Sequence, residues 1–206
     1  MVIDHVVVLA RDAEETATSL REQHGLGSER GALHPFSGTR NHNVPLKPPT
    51  YLEFLTIEDR ALAKTTEVGQ RVLAREARGF GVFAWAVRVD DLEGLSKRLG
   101  IEIVDYTIPH GDGTLRGWRT VSGPPHLPFF IDYPNNGDRV GRWRAMYERV
   151  GHTCSPGEFS ELTVRGDATE MRDWLGPHDL PLRFFPGREG ICEARISTAK
   201  GDVIIV

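Results

Sequence analysis

The sequence lacks the features that mark a disulfide-stabilised, secreted or membrane-spanning protein. Cys154 and Cys192 are its two cysteines in 206 residues, too few for a disulfide framework or a thiolate metal cage. No apolar run approaches the roughly 18 to 20 residues that a transmembrane helix needs. The first residues, Met1 to His5, lack a basic region followed by an apolar stretch, so no signal peptide is predicted. These absences predict a cytoplasmic protein with both thiols reduced.

The charge balance gives no sign of a polyanionic partner. Lys and Arg number 25 against 29 Asp and Glu, for a net charge of -4, whereas nucleic-acid-binding proteins usually carry a basic surface. Two catalytic motifs are also missing. No Gly-x-Ser-x-Gly nucleophile elbow is present, and the glycine-rich segment 111–117 lacks the Lys-Ser/Thr ending of a phosphate loop. We therefore predict a small-molecule ligand, with no nucleic-acid and no membrane partner.

What the sequence does contain is one order of elements that repeats along the chain. The apolar, β-branched segment Val2–Leu9 predicts a buried strand, and Asp12 then caps a predicted helix. Further strands follow, and the same order returns from Val82 onward. The predicted elements after Asp12 are a helix at 13–23, strands at 38–46 and 51–57, a helical linker at 58–78, a strand at 82–89, a helix at 92–99, and strands at 101–108, 115–121 and 129–133, with a hairpin turn at Asp112-Gly113.

A third, shorter copy of the pattern is predicted near the C-terminus. It comprises a strand at 159–164, a helix that Asp167 caps, and strands at 182–185, 191–196 and 202–206. The predicted fold class is α+β: paired βαβββ modules form a cupped mixed β-sheet with the helices outside, plus a partial third module. The predicted boundaries are 1–78 for the first module and its linker helix, 79–150 for the second module, and 151–206 for the partial third.

Several short motifs, in order, resemble the glyoxalase-like domain family of the vicinal oxygen chelate superfamily. Asp4-His5-Val6-Val7-Val8 is similar to the first strand of that family's modules, and Tyr51-Leu52-Glu53-Phe54-Leu55 to the fourth. Segments 38–41, 118–119 and 127–133 are similar as well, so the resemblance covers about residues 1 to 135. In that superfamily a first-strand His and a fourth-strand Glu bind metal. The resemblance therefore implies that His5 and Glu53 bind a divalent ion, Fe, Mn, Ni or Zn.

Strand alternation supports a common site for these two residues. It places His5 on one face with Ile3, Val7 and Leu9, and Glu53 on one face with Tyr51 and Leu55. If both faces line the hollow side of the sheet, an imidazole and a carboxylate converge there. The alternative is a hydrogen-bonded core histidine and a glutamate paired with an arginine. A Glu within an apolar strand is seldom buried unless it is paired or ligated, and the residues alone favour the paired alternative. The family resemblance shifts the balance toward a site.

The second module does not supply the rest of a metal site. If Asp91 is aligned with Asp12, Ala84 occupies the position of His5, and Asp132 falls near the position of Glu53. A shift of one residue in register would turn Asp132 to the other face. The usual four ligands are therefore not visible in the sequence, and His5 and Glu53 alone would hold a metal weakly.

Three further residues are predicted to contact a substrate. Arg119 could clamp a carboxylate or phosphate with its forked donors, although a cross-strand salt bridge is an equal alternative. Asn41 belongs to a polar strand, Asn41-His42-Asn43, of which one side must face the hollow. Trp85 could form a wall for an apolar substrate, although a strand Trp is more often part of the core.

Two functions are compatible with these features. The first is a small-molecule enzyme of the vicinal oxygen chelate type, an isomerase, lyase or dioxygenase, in which Glu53 is a metal ligand or the catalytic base. The vicinal oxygen chelate superfamily also includes drug-sequestering proteins, so the alternative is a non-catalytic binding protein with a degenerate metal site. The missing second-module histidine favours this alternative. Modules of this type pair across chains or within one chain, so a homodimer is compatible with the sequence.

Overall fold

The computed structural model describes residues 1–109, 114–134 and 137–206, which form two β-sheets and six helices. The hairpin turn predicted at Asp112-Gly113 lies outside the described residues. None of the described helices is long and apolar enough to cross a membrane.

The first module contains the four predicted elements in their predicted order, an additional strand β2, and two helices in the predicted linker. They are β1 (Val2–Leu9), α1 (Ala13–His24), β2 (Glu29–His34), β3 (Thr39–Pro45) and β4 (Tyr51–Ile57), followed by α2 (Arg60–Ala63) and α3 (Glu67–Glu76).

The second module repeats this order and ends with one more helix. Its elements are β5 (Gly81–Arg88), α4 (Leu92–Leu99), β6 (Val104–Pro109), β7 (Leu115–Val121) and β8 (Phe129–Asp132), followed by α5 (Arg139–Arg149).

The eight strands of the two modules form one continuous sheet in the order β2-β3-β4-β1-β5-β8-β7-β6. In each module the first strand lies parallel to the last, β1 beside β4 and β5 beside β8. The modules join where β1 and β5 pair in antiparallel fashion. This arrangement confirms the predicted α+β fold with a curved mixed sheet built from paired βαβββ units.

The C-terminal unit has the same element order but a different pairing. It comprises β9 (Pro156–Arg165), α6 (Ala168–Leu175), β10 (Leu182–Phe185), β11 (Gly190–Thr198) and β12 (Val203–Ile205), and its sheet has the order β10-β9-β11-β12. Its first strand lies parallel to its second rather than to its last. One hydrophobic core joins Leu162 and Ile196 of this unit to Val6 and Trp85 of the large sheet, so the unit covers one face of that sheet.

Aspartates begin the helix that follows the first strand of each unit, as the sequence predicts. Asp12 accepts hydrogen bonds from the backbone N–H groups of the first turn of α1, and Asp91 and Asp167 do the same in α4 and α6. These contacts satisfy N–H groups that have no partner within the helix. The face of the large sheet opposite the common core is left to line a cavity.

Candidate active site

A cavity of about 620 Å³ lies against the large sheet, and strands of both modules line it. Its lining includes His5 of β1, Asn41 of β3, Glu53 of β4 and Ala84 of β5. Helix α3, which links the two modules, contributes Val68, Arg71 and Val72 to the wall. Both modules and the linker thus enclose one common space.

The structure brings His5 and Glu53 together in this cavity. The distance from His5 Nε2 to Glu53 Oε2 is 3.9 Å, and both residues are buried, with 4% and 7% of their surfaces exposed. They reach the same space because β1 and β4 are neighbouring strands and Glu53 pairs with Val7. Val7 is two residues from His5, so all three side chains lie on the same face of the sheet. An imidazole and a carboxylate therefore face each other in a largely apolar pocket.

A β-bulge in β1 changes the predicted faces of the first residues. Ile3 pairs with Val87 and His5 with Ala86, so Asp4 is one extra residue between two consecutive pairs. A bulge of this kind breaks the alternation of side chains. Ile3 joins the common core rather than the cavity face, which corrects the predicted grouping of Ile3 with His5. The bulge allows the consecutive side chains of Asp4 and His5 to meet.

Asp4 is a buried carboxylate that holds the ring of His5. It lies 2.9 Å from His5 Nδ1, and it accepts hydrogen bonds from the hydroxyl of Tyr133 at 2.9 Å and from Nη2 of Arg139 at 2.8 and 3.0 Å. Burial alone would raise the pKa of Asp4, but the hydrogen bond from His5 and the charge of Arg139 outweigh burial and hold the pKa below its ordinary value. Asp4 is therefore ionised.

The ionised state of Asp4 fixes which nitrogen of His5 is available. A carboxylate accepts but cannot donate a hydrogen bond, so Nδ1 of His5 carries the proton that it donates to Asp4. In the neutral ring, Nε2 then keeps its lone pair and faces Glu53. The ring of Tyr51 stacks on that of His5 with 4.5 Å between the ring centroids. The ring of Phe129 packs edge-on against His5 with 5.5 Å between the centroids. The imidazole is thus fixed in both tautomer and orientation.

Two polar residues of the first module complete this end of the cavity. Asn41 lies there, buried, and its Oδ1 has no hydrogen-bond partner among the described residues. His34 of β2 is a lining residue that the sequence analysis missed, and its Nδ1 lies 3.2 Å from the hydroxyl of Thr39. Burial lowers the pKa of His34, so its ring is neutral near pH 7. His42, by contrast, does not line the cavity, because it alternates with Asn41 along β3.

Aromatic rings form another part of the cavity wall. Tyr106 and Trp118 stack at 5.6 Å, and Phe36 lies 4.6 Å from Tyr106 and 5.9 Å from Trp118. Phe36 also stacks on His34. These rings lie on β6, β7 and the loop before β3, so the aromatic wall spans both modules. A planar or apolar part of a ligand fits such a wall.

The second module lines the cavity with apolar residues at the positions that correspond to the polar pair. Ala84 lies opposite Val7, and Ile131 of β8 lines the cavity. Asp132, which the sequence placed near the position of Glu53, is bound by Arg119 instead. Because Asp132 follows Ile131 in β8, its side chain points to the opposite face of the sheet from the cavity. Among the described residues, the second-module positions that correspond to His5 and Glu53 therefore carry no metal-binding side chain, although Glu102 of this module also lines the cavity.

Neither Arg119 nor Trp85 is brought to the cavity. Arg119 donates to Asp132 and, at 2.6 Å, to Glu93, which is the cross-strand alternative considered for it from the sequence. Trp118 and Thr120, its neighbours along β7, are the residues that line the cavity. Trp85 lies opposite Val6 in the common core and is 1% exposed. Strand alternation turns both side chains away from the hollow.

The residues at this end fit a divalent ion. Two donors bound to one ion at about 2.0–2.2 Å lie at most roughly 4.4 Å apart, so the 3.9 Å between Nε2 and Oε2 allows both to bind it. Asp4 supplies the carboxylate that commonly orients a metal-binding histidine through its other nitrogen. The unpartnered Oδ1 of Asn41 adds an oxygen in the same cavity. His5 and Glu53 would be the ligands, with the other positions left to water or substrate.

A second set of ligand types lies elsewhere, in the contact between the second module and the C-terminal unit. His126 Nε2 lies 3.0 Å from Glu170, and its Nδ1 lies 3.5 Å from Glu189. Both ring nitrogens already face a carboxylate in this partly exposed cluster. The cluster therefore consists of one imidazole between two carboxylates, outside the cavity of His5 and Glu53.

Comparison with known proteins gives one family and several structures. Residues 3–177 match the sequence model of a family described as a glyoxalase-like domain, and no curated protein matched the sequence. A hypothetical protein from Staphylococcus aureus is 14% identical, with 92% of this chain and 87% of that chain covered and a TM-score of 0.69. A Streptomyces coelicolor methylmalonyl-CoA epimerase in complex with 2-nitronate-propionyl-CoA is 16% identical, with 65% and 95% covered and a TM-score of 0.48. The staphylococcal structure shows a shared fold.

Proposed function

We propose, for a chain that belongs to the glyoxalase-like domain family, that it is a small-molecule enzyme which stabilises an enolate or oxyanion beside His5 and Glu53. The observation that carries the proposal is the 3.9 Å approach of a buried imidazole and a buried carboxylate inside one cavity, with Asp4 fixing the imidazole. The predicted family resemblance is confirmed by the match over residues 3–177.

The side chains of the cavity support proton transfer next to a carbonyl group. Glu53 can take a proton from the carbon beside the carbonyl, so that the C–H pair of electrons moves to the carbonyl oxygen and forms an enolate. Return of the proton to the opposite face of the same carbon gives a stereoisomer. The apolar residues near His5 and Glu53 would strengthen the electrostatic contacts to the developing charge. The aromatic wall of Phe36, Tyr106 and Trp118 would hold the rest of the substrate.

His5 and Glu53 also support the metal-assisted version of the same reaction. A divalent cation held by these two residues would act as a Lewis acid toward the substrate oxygen. In this version Asp4 keeps the lone pair of Nε2 directed into the cavity, and Asn41 and His34 contact ligands or water at the remaining positions. Both versions place the negative charge of the intermediate at the same end of the cavity.

Metal analysis distinguishes the two versions. Protein purified without chelators is analysed for Fe, Mn, Ni and Zn, and the melting temperature is measured as each ion is added to chelator-treated protein. The metal-assisted version predicts bound metal in the wild type, and loss of the metal-dependent rise in the His5→Ala and Glu53→Gln variants. Asp132→Asn, which changes a carboxylate outside the cavity, is the matched control. No metal and no rise in the wild type would remove this version.

Hydrogen exchange tests the proton transfer itself. A panel of 2-oxo acids and β-keto acids is incubated with the protein in D₂O and followed by NMR. Exchange at the carbon beside the carbonyl is expected in the wild type and is expected to fall by about 10²-fold or more in Glu53→Gln. Exchange that survives unchanged in that variant would contradict the role of Glu53.

A non-catalytic binding protein is the second candidate. Ala84 and Ile131 occupy the second-module positions where further ligands would lie, which leaves His5 and Glu53 without metal-binding partners there. Such a pocket could sequester a small organic molecule without changing it. A compound that raises the melting temperature and is recovered unchanged after long incubation would favour this candidate, and turnover of that compound would exclude it.

A further inference from the structure

A second cavity of about 410 Å³ adjoins the first, and five of its sixteen described lining residues are arginines. Four side chains separate the two cavities and line both of them: Asn41, Tyr51, Trp118 and Tyr133. Strand β2 and helix α5 form the other walls. The arginine-lined cavity therefore lies next to the polar end of the candidate active site.

Positively charged side chains outnumber negatively charged ones among the residues that line this second cavity. Five arginines line it against one acidic residue, Glu29, among the described lining residues. Glu29 is bound by one of the five, Arg149, at 2.6 Å, and Arg139 and Arg30 pair with Asp4 and Glu58, which do not line this cavity. This concentration contrasts with the whole chain, which has a net charge of -4. The five are Arg30, Arg116, Arg139, Arg142 and Arg149.

Arg139 occupies the buried side of the arginine-lined cavity. Its Nη2 donates to both oxygens of Asp4, and its guanidinium carbon lies 4.0 Å from the ring centre of Tyr133. Its Nη1 is buried and has no hydrogen-bond partner among the described residues. A buried donor without a partner is costly, so an acceptor brought to this side of the cavity would be bound favourably.

We infer that the arginine-lined cavity binds a carboxylate or phosphate group of the small molecule that the protein recognises. Guanidinium groups present forked donors that match the paired oxygens of these anions, and clustered positive charge attracts them. Because the cavity adjoins the pocket of His5 and Glu53, the anionic group belongs to the molecule whose other end enters that pocket. This last step rests on the proposed function, whereas anion binding itself does not.

Calorimetric titration with two simple anions tests the inference. Inorganic phosphate and succinate are titrated into chelator-treated protein at low ionic strength. The double variant Arg142→Gln/Arg149→Gln removes two cavity charges. The double variant Arg60→Gln/Arg183→Gln removes the same charge from exposed arginines outside both cavities. We expect the cavity variant to bind at least one anion about tenfold or more weakly than the wild type, and the control to bind as the wild type does.

The two anions also identify the class of ligand. Tighter binding of phosphate indicates a phosphate ester, and tighter binding of succinate indicates a carboxylate. Binding of neither anion at millimolar concentration, or an equal loss in both double variants, would overturn the inference. If the cavity double variant has a lowered melting temperature, the titration is repeated with Arg30→Gln. The side chain of Arg30 is exposed, so this substitution should not affect folding.

One further variant separates this inference from the proposed function. His5→Ala changes the candidate active site and leaves all five arginines in place. If it binds the anion as the wild type does but the wild type neither binds metal nor exchanges substrate protons, the anion site stands and the proposed reaction fails. If the wild type is active and the cavity variant binds anions equally well, the reaction stands and the anion site fails.

Discussion

Asp4 and His5 are consecutive in one β-strand, yet the Oδ1 of Asp4 and the Nδ1 of His5 lie 2.9 Å apart. Regular alternation would place the two side chains on opposite faces of the sheet, and the bulge in β1 is what allows the contact. The contact determines that Nε2 of His5, the nitrogen nearest Glu53, is free to bind a cation or a substrate group.

The first prediction concerns Asp4→Asn. The amide removes the charge that orients His5, so we expect metal affinity to fall by about 10- to 100-fold. It also leaves Arg139 buried without its counter-charge, so we expect a loss of about 3–5 kcal/mol in the free energy of unfolding. Metal titration and urea unfolding measure the two effects. Wild-type metal affinity in a folded Asp4→Asn protein would show that the contact with Asp4 does not set the metal affinity of His5.

The second prediction concerns Arg119→Ala. Arg119 is paired with Asp132 and Glu93 away from the cavity, so its removal should leave metal and anion binding unchanged. Because its partners are partly exposed to solvent, the cost in the free energy of unfolding should not exceed about 1 kcal/mol. Metal titration, anion titration and urea unfolding report these quantities. A tenfold loss of anion affinity would show that Arg119 does contribute to the binding site.

The third prediction concerns pH and His152. Its Nδ1 accepts a hydrogen bond from the backbone N–H of Gly27 at 3.0 Å, and burial lowers its pKa. The contribution of the neutral ring to stability is therefore complete above the unfolded-state pKa, about 6.5, and is lost as pH falls toward the lower folded-state value.

Urea unfolding between pH 7.5 and pH 5 measures this dependence. His152 should contribute a slope of at most about 1.4 kcal/mol per pH unit on the acidic side. The variant His152→Gln should unfold with a smaller loss over the same interval. An equal loss in the variant and the wild type would assign the dependence to other groups, such as His34 and His42, whose pKa values burial also lowers.

The fourth prediction concerns Gly31→Ala. A methyl group at residue 31 would lie 1.8 Å from Oδ1 of Asn41 and 2.8 Å from Nδ2 of Asn43. We expect a loss of about 1–3 kcal/mol in the free energy of unfolding, because Asn41 must move. Adding Asn41→Ala removes the closer contact, so Gly31→Ala should cost less in that background. Equal costs in both backgrounds would show that Asn41 is not the obstacle.

Much of the fold could be predicted from local patterns. Helices α4 and α6 and the strands β7 and β10 have the predicted bounds or begin at the predicted caps, because each combines a cap or turn signal with an apolar period. Both cysteines are free, as predicted. The convergence of His5 and Glu53 in one cavity follows from strand alternation once β1 and β4 are neighbours.

Two elements were missed because their apolar pattern is weak. Strand β2 contains Gly31 and an irregular register between Arg30 and Leu33, so its alternation is broken. Helix α5 buries only Arg139 and carries four arginines in eleven residues, so it lacks an apolar period. Missing these two elements hid His34, Arg139 and the arginine-lined cavity.

The contact of Asp4 with His5 could not be predicted for a different reason. A bulge is set by how two strands fit in register, and no residue of the segment Val2–Leu9 marks it. The pairing of the C-terminal unit has the same origin. Its element order resembles the two modules, but β9 pairs with β10 in parallel, which the linear order of elements does not determine.

The antiparallel junction of β1 with β5 places both halves of the large sheet in a single polypeptide. In an assembly of two identical chains, every substitution would occur twice, once on each side of the cavity. Here one half can hold His5 and Glu53 while the other presents Ala84 and Ile131, because the two halves are encoded separately. A substitution at Ala84 or Ile131 can therefore change the lining of the cavity while His5 and Glu53 stay as they are.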